Sequence, residues 1–162
     1  MGRMISIPQL SLSEALNAST SKIFQFRGRS RRSEFWWTTL IVFLASIVLT
    51  PIVGFFLDIA TIPLKFRRLH DIGRSGWWYG VYLILKILFF VCIMFDIIMM
   101  IINAANMVDY GEDIVYVFVM KYLLWIIVIF IYQVVLLIFM CIDSEIEEND
   151  YGESPKYKIL DE

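Results

Sequence analysis

Two stretches of this chain each place a basic segment and a tryptophan pair directly before a long apolar run. They are residues 28–37 and residues 67–78, and both contain the step Gly-Arg-Ser. Cations suit lipid headgroups, indole rings suit the membrane interface, and aliphatic side chains suit hydrocarbon. The order therefore predicts that each stretch marks a membrane boundary. The predicted interfacial anchors are Trp36, Trp37, Trp77 and Trp78.

The composition favours a membrane protein over a soluble one. Hydrophobic residues make up 59% of the 162 residues, whereas a soluble domain has about 45–50%. No charged residue lies between Ala45 and Leu57, and Asp96 is the only one between Ile87 and Met107. The runs are continuously apolar rather than alternating, which argues against a β-barrel. Because helices satisfy their own backbone groups in lipid, we expect an all-α fold, a small polytopic integral membrane helical bundle.

The sequence divides into three parts. Residues 1–25 form an N-terminal tail with a short interfacial amphipathic helix, which begins at a predicted capping box of Ser11 and Glu14. We expect residues 1–10 to be disordered or loosely attached, and a frayed N-terminus is the alternative to the helix. The other two parts are the transmembrane helical domain, residues 26–142, with apolar runs at about 35–64, 77–103 and 115–142, and the acidic C-terminal tail, residues 143–162.

The path of the first apolar run leaves two topologies open. If residues 35–64 cross the membrane once, one basic segment faces outward, against the positive-inside tendency. If the run doubles back near Pro51–Gly54, the N-terminus and both basic segments are cytoplasmic and the acidic loop after the second run is outside. Each leg of such a hairpin spans only about 20 Å, short of a ~30 Å hydrocarbon core, so it would be re-entrant. No signal peptide is evident, and the first membrane segment is expected to act as an uncleaved insertion signal.

Three motifs in this order resemble a known family. They are the strings Phe26–Trp37 and Arg67–Trp78 and the element Asn-x-Tyr-Gly-x-x-Pro at residues 149–155. They closely resemble the YhaH-like inner-membrane proteins, domain-of-unknown-function family 805. The resemblance implies a bacterial-type inner (plasma) membrane protein and no particular activity. Family members usually carry a longer insert between the first two motifs, whereas here the longer region follows the second motif and holds two spans.

The basic motifs have two interpretations. One is a binding site for anionic headgroups or a partner protein, and the other is a topology determinant without a specific ligand. Asp71 lies three or four residues from several arginines, so a self-neutralised helix end is expected there, and Glu34 is expected to pair with Arg31 or with an arginine of the second motif. The candidate binding residues are Arg27, Arg29, Arg31, Arg32, Arg67, Arg68, His70, Asp71 and Arg74.

Two further features are charged residues inside the apolar runs and a turn in the C-terminal tail. Lys86 and Asp96 lie inside the apolar runs, and Asp96 is expected to be protonated or paired with Lys86 or Lys121. The final motif predicts a tight turn that docks on the arginine segments, with Asp150 and Glu153 meeting Arg29, Arg31 or Arg68. The predicted turn residues are Asn149, Tyr151, Gly152 and Pro155.

The sequence predicts a binding module rather than an enzyme. His70 is the only histidine, so no metal centre is expected. Cys92 and Cys141 lie inside apolar runs, where thiols are usually inert packing residues, and no Cys–His pair is expected. We expect no cofactor and no nucleic acid. The predicted function is a non-enzymatic membrane module that binds the bilayer's anionic phospholipid or a membrane partner protein. The alternative is a small transporter or channel component that acts as a homo-oligomer.

Overall fold

The computed structural model describes residues 3–106 and 114–160. The chain forms two compact units, one made of residues 1–79 and 138–162 and the other of residues 80–137. The predicted class, a helical membrane protein, is confirmed, with one short sheet added. The elements are β1 (Arg3–Ser6), α1 (Leu12–Ser21), α2 (Arg32–Val48), α3 (Pro51–Ala60), α4 (Ile62–His70), α5 (Trp77–Ala105), α6 (Ile114–Cys141) and β2 (Tyr157–Leu160).

The N-terminal helix begins as the sequence predicts. The Ser11 side chain accepts a hydrogen bond from the Glu14 amide, and the Glu14 carboxylate accepts one from the Ser11 amide at 2.8 Å, which completes the capping box. The buried face of α1 carries Ala15 and Ser19, and the Ser19 hydroxyl lies 2.7 Å from the Thr38 hydroxyl of α2. The helix therefore packs on α2, while its place at a membrane interface stays a prediction.

The start of the chain differs from the expectation of a loose tail. Strand β1 pairs antiparallel with β2, with Arg3 opposite Leu160 and Ser6 opposite Tyr157. The Ile7 amide continues the pairing with a 2.8 Å hydrogen bond to the carbonyl of Lys156. Two short strands at opposite ends of a chain leave no local periodic signal, so the sequence did not reveal the pairing.

The first apolar run doubles back on itself. Helix α2 ends at Val48, Thr50 caps α3 by accepting a 3.2 Å hydrogen bond from the Val53 amide, and Pro51 occupies the first turn of α3. A Cβ on Gly54 would lie 2.6 Å from the Cβ of Ser46, a contact that two positions eight residues apart reach only where the chain reverses. The chain thus reverses between α2 and α3, as the hairpin alternative expects, while the path of this run relative to a membrane stays a prediction.

Gly54 is the point of closest approach in this hairpin. We expect Gly54→Ala to destabilise the protein by about 1–3 kcal/mol, because the added methyl group would overlap the Ser46 side chain. Thermal unfolding in detergent measures the effect. Adding Ser46→Gly should recover part of the loss, because it removes the overlapping atoms. An unchanged melting temperature in Gly54→Ala would show that the two helices do not pack at this point.

The second unit consists of parts of α5 and α6. Trp77–Ala105 and Tyr116–Cys141 are long and apolar enough to cross a membrane, and few of their residues are buried, as lipid-facing helices require. Within this unit the Asp96 carboxylate accepts hydrogen bonds at 2.6 Å from the Lys121 ammonium and from the Tyr122 hydroxyl. Of the expected partners of Asp96, Lys121 is therefore the one observed.

Candidate functional site

The hairpin brings the two arginine motifs together. The Ser30 amide donates a 3.1 Å hydrogen bond to the carbonyl of Arg67. His70 Nδ1 lies 3.1 Å from the carbonyl oxygen of Gly28. Because a carbonyl oxygen only accepts, Nδ1 is the protonated nitrogen of this imidazole. The end of α4 thus packs against the segment that leads into α2.

A buried cluster of five charged side chains joins the motifs. We call it the arginine cluster, and it consists of Arg29, Glu34, Arg67, Arg68 and Asp71. The Asp71 carboxylate accepts from Arg29 Nε at 3.1 Å and from Arg68 Nη1 at 2.6 Å. Glu34 accepts from Arg67 Nη2 at 3.1 Å. No side chain of the cluster is more than 6% exposed. Both the expected Arg68–Asp71 pair and the expected partner of Glu34 in the second motif are present.

Arg29 uses all five of its N–H groups. Besides Asp71 Oδ1, it donates to the carbonyls of Glu147 at 2.8 Å and Gly152 at 3.1 Å through Nη1. Through Nη2 it donates to the carbonyls of Glu145 at 2.6 Å and Asp71 at 3.2 Å. Since a guanidinium carries five donors, no further ligand can bind it. Arg29 is the residue that holds the C-terminal segment on the motifs.

Arg68 and Asp71 hold the end of α6 in the same way. Arg68 donates to the carbonyl of Met140 at 3.4 Å and, more closely, to the carbonyl of Ile142. The Ser144 hydroxyl donates to Asp71 Oδ2 at 2.5 Å. Nothing in the sequence marked Ser144, because a single serine after an apolar run carries no pattern. Its place is defined only by the fold around Asp71.

The predicted turn is present and docks on His70. The Tyr151 amide donates to Asn149 Oδ1 at 3.0 Å, as in an Asx turn, and Gly152 adopts a φ of 117°, which favours glycine. The Tyr151 ring stacks on the His70 ring with centroids 3.8 Å apart and an interplanar angle of 1°. Asn149 Nδ2 donates to the carbonyl of His70 at 3.0 Å. Pro155 is half-buried two residues before β2.

The contacts of this turn differ from the expectation in one respect. Asp150 and Glu153 are exposed, and neither forms an ion pair with a residue that the structure describes. The arginines instead bond the backbone carbonyls of the segment, which reach into the buried cluster without bringing additional charges out of water. The docking of the turn is thus observed, and its predicted carboxylate contacts are wrong.

The structure reduces the set of residues that a headgroup can reach. Six of the nine candidate binding residues are buried, and they are Arg29, Arg31, Arg67, Arg68, His70 and Asp71. Five of them are paired within the arginine cluster or, for His70, bonded to Gly28. Arg31 differs, because only its Nη2 group is used, in hydrogen bonds to two backbone carbonyls. Arg27, Arg32 and Arg74 are exposed. The four predicted interfacial tryptophans, Trp36, Trp37, Trp77 and Trp78, are also exposed.

Burial shifts the titration of the groups in this site. Burial raises the pKa of Asp71, and the hydrogen bond from Ser144 and the charges of Arg68 and Arg29 oppose that shift. Because two guanidinium groups contact it, we treat the carboxylate as charged at neutral pH. Burial lowers the pKa of His70, and the hydrogen bond to Gly28 opposes that shift only in part. His70 is therefore neutral at pH 7.

The lowered pKa of His70 predicts that the folded protein loses stability in mild acid. This pKa is lower in the folded protein than the ordinary 6.5, so the stability that the neutral form of His70 provides is present above pH 6.5 and is lost as pH falls through the folded pKa. We expect the melting temperature to fall from about pH 7.5 to about pH 5. His70→Asn, which keeps a donor near the Gly28 carbonyl, should flatten this dependence. Because the raised pKa of Asp71 acts in the opposite direction, the difference between the two proteins isolates His70; parallel curves would contradict the prediction.

Fold and site together define a helical membrane protein whose arginine motifs fold into a buried, ion-paired cluster. The chain belongs to the DUF805 family, described as a protein of unknown function, whose pattern matches residues 46–153. That match contains the second arginine motif and Asn149–Gly152, and it starts after the first motif. The family assignment confirms the resemblance seen in the motifs, and the family's description names no activity.

The curated relatives that the chain matches are named as inner membrane proteins. The chain is similar to inner membrane protein YhaH of Escherichia coli K12, with 33% identity over 89 residues, covering 44% of this chain and 74% of the relative. The same figures hold for YhaH of Escherichia coli O157:H7. No solved structure matches the chain. The relatives' name and the apolar helices support a membrane location.

Proposed function

We propose that this protein is a non-enzymatic module of a bacterial-type inner membrane that binds anionic lipid headgroups. The binding surface, which we call the motif face, consists of four arginines and four tryptophans: Arg27, Arg31, Arg32, Arg74, Trp36, Trp37, Trp77 and Trp78. The observation that carries this proposal is a division among the arginines. Those of the arginine cluster are paired with buried carboxylates, whereas Arg27, Arg31, Arg32 and Arg74 form no ion pair with any residue in the described ranges 3–106 and 114–160. A cation near an anionic bilayer surface contributes about 1 kcal/mol of attraction.

The tryptophans of the motif face suit the same role. Trp36 and Trp37 lie in the first turns of α2, and Trp77 and Trp78 begin α5, all in the unit that contains the arginine cluster. Exposed indole rings beside exposed guanidinium groups match the layer of headgroups and glycerol at a bilayer surface. The arginine cluster would then be the scaffold that presents these side chains.

Lipid selectivity tests the proposal directly. Trp125→Phe leaves the four motif-face tryptophans as the only fluorophores of their kind. In proteoliposomes, phosphatidylglycerol with brominated acyl chains should quench their fluorescence more strongly than brominated phosphatidylcholine at the same mole fraction. Arg27→Gln with Arg74→Gln should weaken that preference, and Lys158→Gln, on the exposed side of β2, is the matched control for loss of charge. Equal quenching by both lipids would contradict headgroup selectivity.

The positive-inside tendency supports a cytoplasmic motif face. Gln25, Ser75 and Glu148 are exposed positions of one compact unit and suit cysteine substitution in a background with Cys92 and Cys141 replaced by serine. An impermeant maleimide should leave all three unlabelled in intact cells and label all three in opened cells. Labelling in intact cells would place the motif face outside.

One observation favours the alternative, a small transporter or channel component acting as an oligomer. Asp96, Lys121 and Asn103 line a cavity of about 270 Å³ in the second unit, and charges inside a span often mark an ion pathway. Under this alternative, Asp96→Asn should abolish proton flux in proteoliposomes. Flux that is equal with and without the substitution would remove the alternative.

A further inference from the structure

We propose that a cleft beside the start of α2 binds the phosphate group of an anionic phospholipid. Its lining includes Arg31, Arg32, Ser33, Trp36, Trp37 and Lys156, and we call it the α2 cleft. The proposal deepens the proposed function, on which it rests, because it assigns headgroup binding to one cavity. All lining residues belong to the unit that contains the arginine cluster.

The charge of the α2 cleft is positive and not cancelled from within. Three cations, Arg31, Arg32 and Lys156, face one carboxylate, that of Asp143. Asp143 accepts a hydrogen bond from the Lys156 ammonium at 2.5 Å and is the paired partner of that one cation. The two guanidinium groups have no carboxylate within ion-pair distance among the described residues, and Asp143 and Glu14 act on them from further away. With three cations against one carboxylate in its lining, the cleft keeps a net positive charge for an anion that enters.

The hydrogen bonds of the two arginines fix their positions without neutralising them. Arg31 Nη2 donates to the carbonyl of Ile7 at 3.1 Å and also to that of Pro8. Arg32 Nη1 donates to the carbonyl of Cys141 at 3.2 Å. Carbonyl oxygens carry no net charge, so each guanidinium keeps its full positive charge and has N–H groups left over. Guanidinium forks with free N–H groups suit the paired oxygens of a phosphate.

The size of the cleft limits its occupant. The cavity volume is about 240 Å³, below the ~300–1,000 Å³ that pockets for drug-sized ligands occupy. A phosphate with a small alcohol fits such a volume, whereas the acyl chains of a lipid must remain outside it. The ligand is therefore the head of a larger molecule or a free anion of similar chemistry.

The walls of the cleft favour a lipid over a free anion. Trp36 and Trp37 form one wall, and Trp37 is held by a 3.2 Å hydrogen bond from its indole N–H to the carbonyl of Leu10. Beyond them α2 exposes Leu40, Phe43 and Leu44. A phosphate in the cleft thus lies at the start of an apolar helix surface along which acyl chains can run.

Two tryptophans report on the α2 cleft alone. Trp77→Phe, Trp78→Phe and Trp125→Phe together leave Trp36 and Trp37 as the only indoles. In proteoliposomes of this protein, brominated phosphatidylglycerol should quench their fluorescence more strongly than brominated phosphatidylcholine. Arg32→Gln should reduce the preference for phosphatidylglycerol about fivefold, as expected for one cation at the surface. Lys158→Gln removes one positive charge outside the cleft, on the exposed side of β2, and should leave the preference unchanged.

A second variant should increase the preference for phosphatidylglycerol. Asp143→Asn removes the carboxylate from the cleft and keeps the oxygen that accepts from the Ser144 amide at 2.9 Å. Because Lys156 then loses its partner, the preference for phosphatidylglycerol should rise. Equal effects of Arg32→Gln and Lys158→Gln, or a lower preference in Asp143→Asn, would overturn the site.

Comparing the two tryptophan reporters distinguishes a failure of the α2 cleft from a failure of the proposed function. If the four-tryptophan reporter prefers phosphatidylglycerol but the two-tryptophan reporter does not, the α2 cleft is overturned and the proposed function stands. If neither reporter shows a preference, both are overturned. Inorganic phosphate, added at constant ionic strength, should not displace the lipid. Full displacement would show that the cleft takes a free anion instead.

Discussion

Asp71→Asn should destabilise the protein by about 3–5 kcal/mol, the cost of breaking a buried ion pair by removing one partner. The Asp71 side chain is fully buried and contacts Arg29 and Arg68, which are buried as well. Asparagine keeps the shape but removes the negative charge, so two guanidinium groups remain without a counter-charge. An amide N–H group facing a guanidinium adds a donor where an acceptor is needed. Thermal unfolding in detergent, followed by circular dichroism, measures the change.

A matched control is available in the same unit. The ion pair of Asp58 and Lys65 joins α3 and α4, and the Asp58 side chain is 51% exposed. Asp58→Asn should therefore cost no more than about 1 kcal/mol. Arg68→Met combined with Asp71→Asn should be less damaging than the sum of the two single changes, because the two side chains contact each other. A loss in Asp71→Asn no larger than that in Asp58→Asn would contradict the role of the arginine cluster.

Local spacing predicted the contacts that lie within one element or one motif. Ser11 and Glu14 are three residues apart and form the capping box, and Arg68 and Asp71 are three apart and form an ion pair. In both pairs the helix geometry alone brings the groups together. The charge bias of the two basic segments also favoured the hairpin, because only a reversal keeps both segments on one side.

The contacts between distant segments were not predictable to the same degree. Arg29 lies 42 residues from Asp71 and 116 residues from Glu145, yet it bonds the carboxylate of one and the backbone carbonyl of the other. Every residue has a carbonyl, so a carbonyl acceptor leaves no mark in a sequence. The sequence predicted that the C-terminal segment docks on the arginines through its carboxylates. In the structure the segment does dock there, but the arginines bond its backbone carbonyls.

Burial of the arginines was the other feature that the sequence did not reveal. Arg29 and Arg27 stand two residues apart in the same basic stretch, and only Arg29 is buried. A run of arginines has the same composition whether it is solvated or enclosed. The difference depends on acceptors supplied from elsewhere in the chain, here by Asp71 and the segment after α6. The exposed and buried members of one motif can therefore have separate roles, lipid contact and folding.

Arg29→Lys should release the C-terminal segment from the arginine cluster. Lysine keeps the positive charge but has three donors on one nitrogen, whereas Arg29 supplies five N–H groups from three nitrogens to separate acceptors. At least two of these acceptors lose their partner, at about 1–3 kcal/mol each where they stay buried. We expect a lower melting temperature and faster amide hydrogen exchange in residues 145–152.

Arg27→Lys is the control for this change, because Arg27 is exposed and lies in the same motif. It should leave both the melting temperature and hydrogen exchange in residues 145–152 unchanged. If Arg29→Lys also left exchange in that segment unchanged, charge alone would hold the segment and the five directed hydrogen bonds would be dispensable. If exchange rises in Arg29→Lys and not in Arg27→Lys, the geometry of one guanidinium holds residues 145–152 on the first arginine motif, and the basic character of that motif is not sufficient.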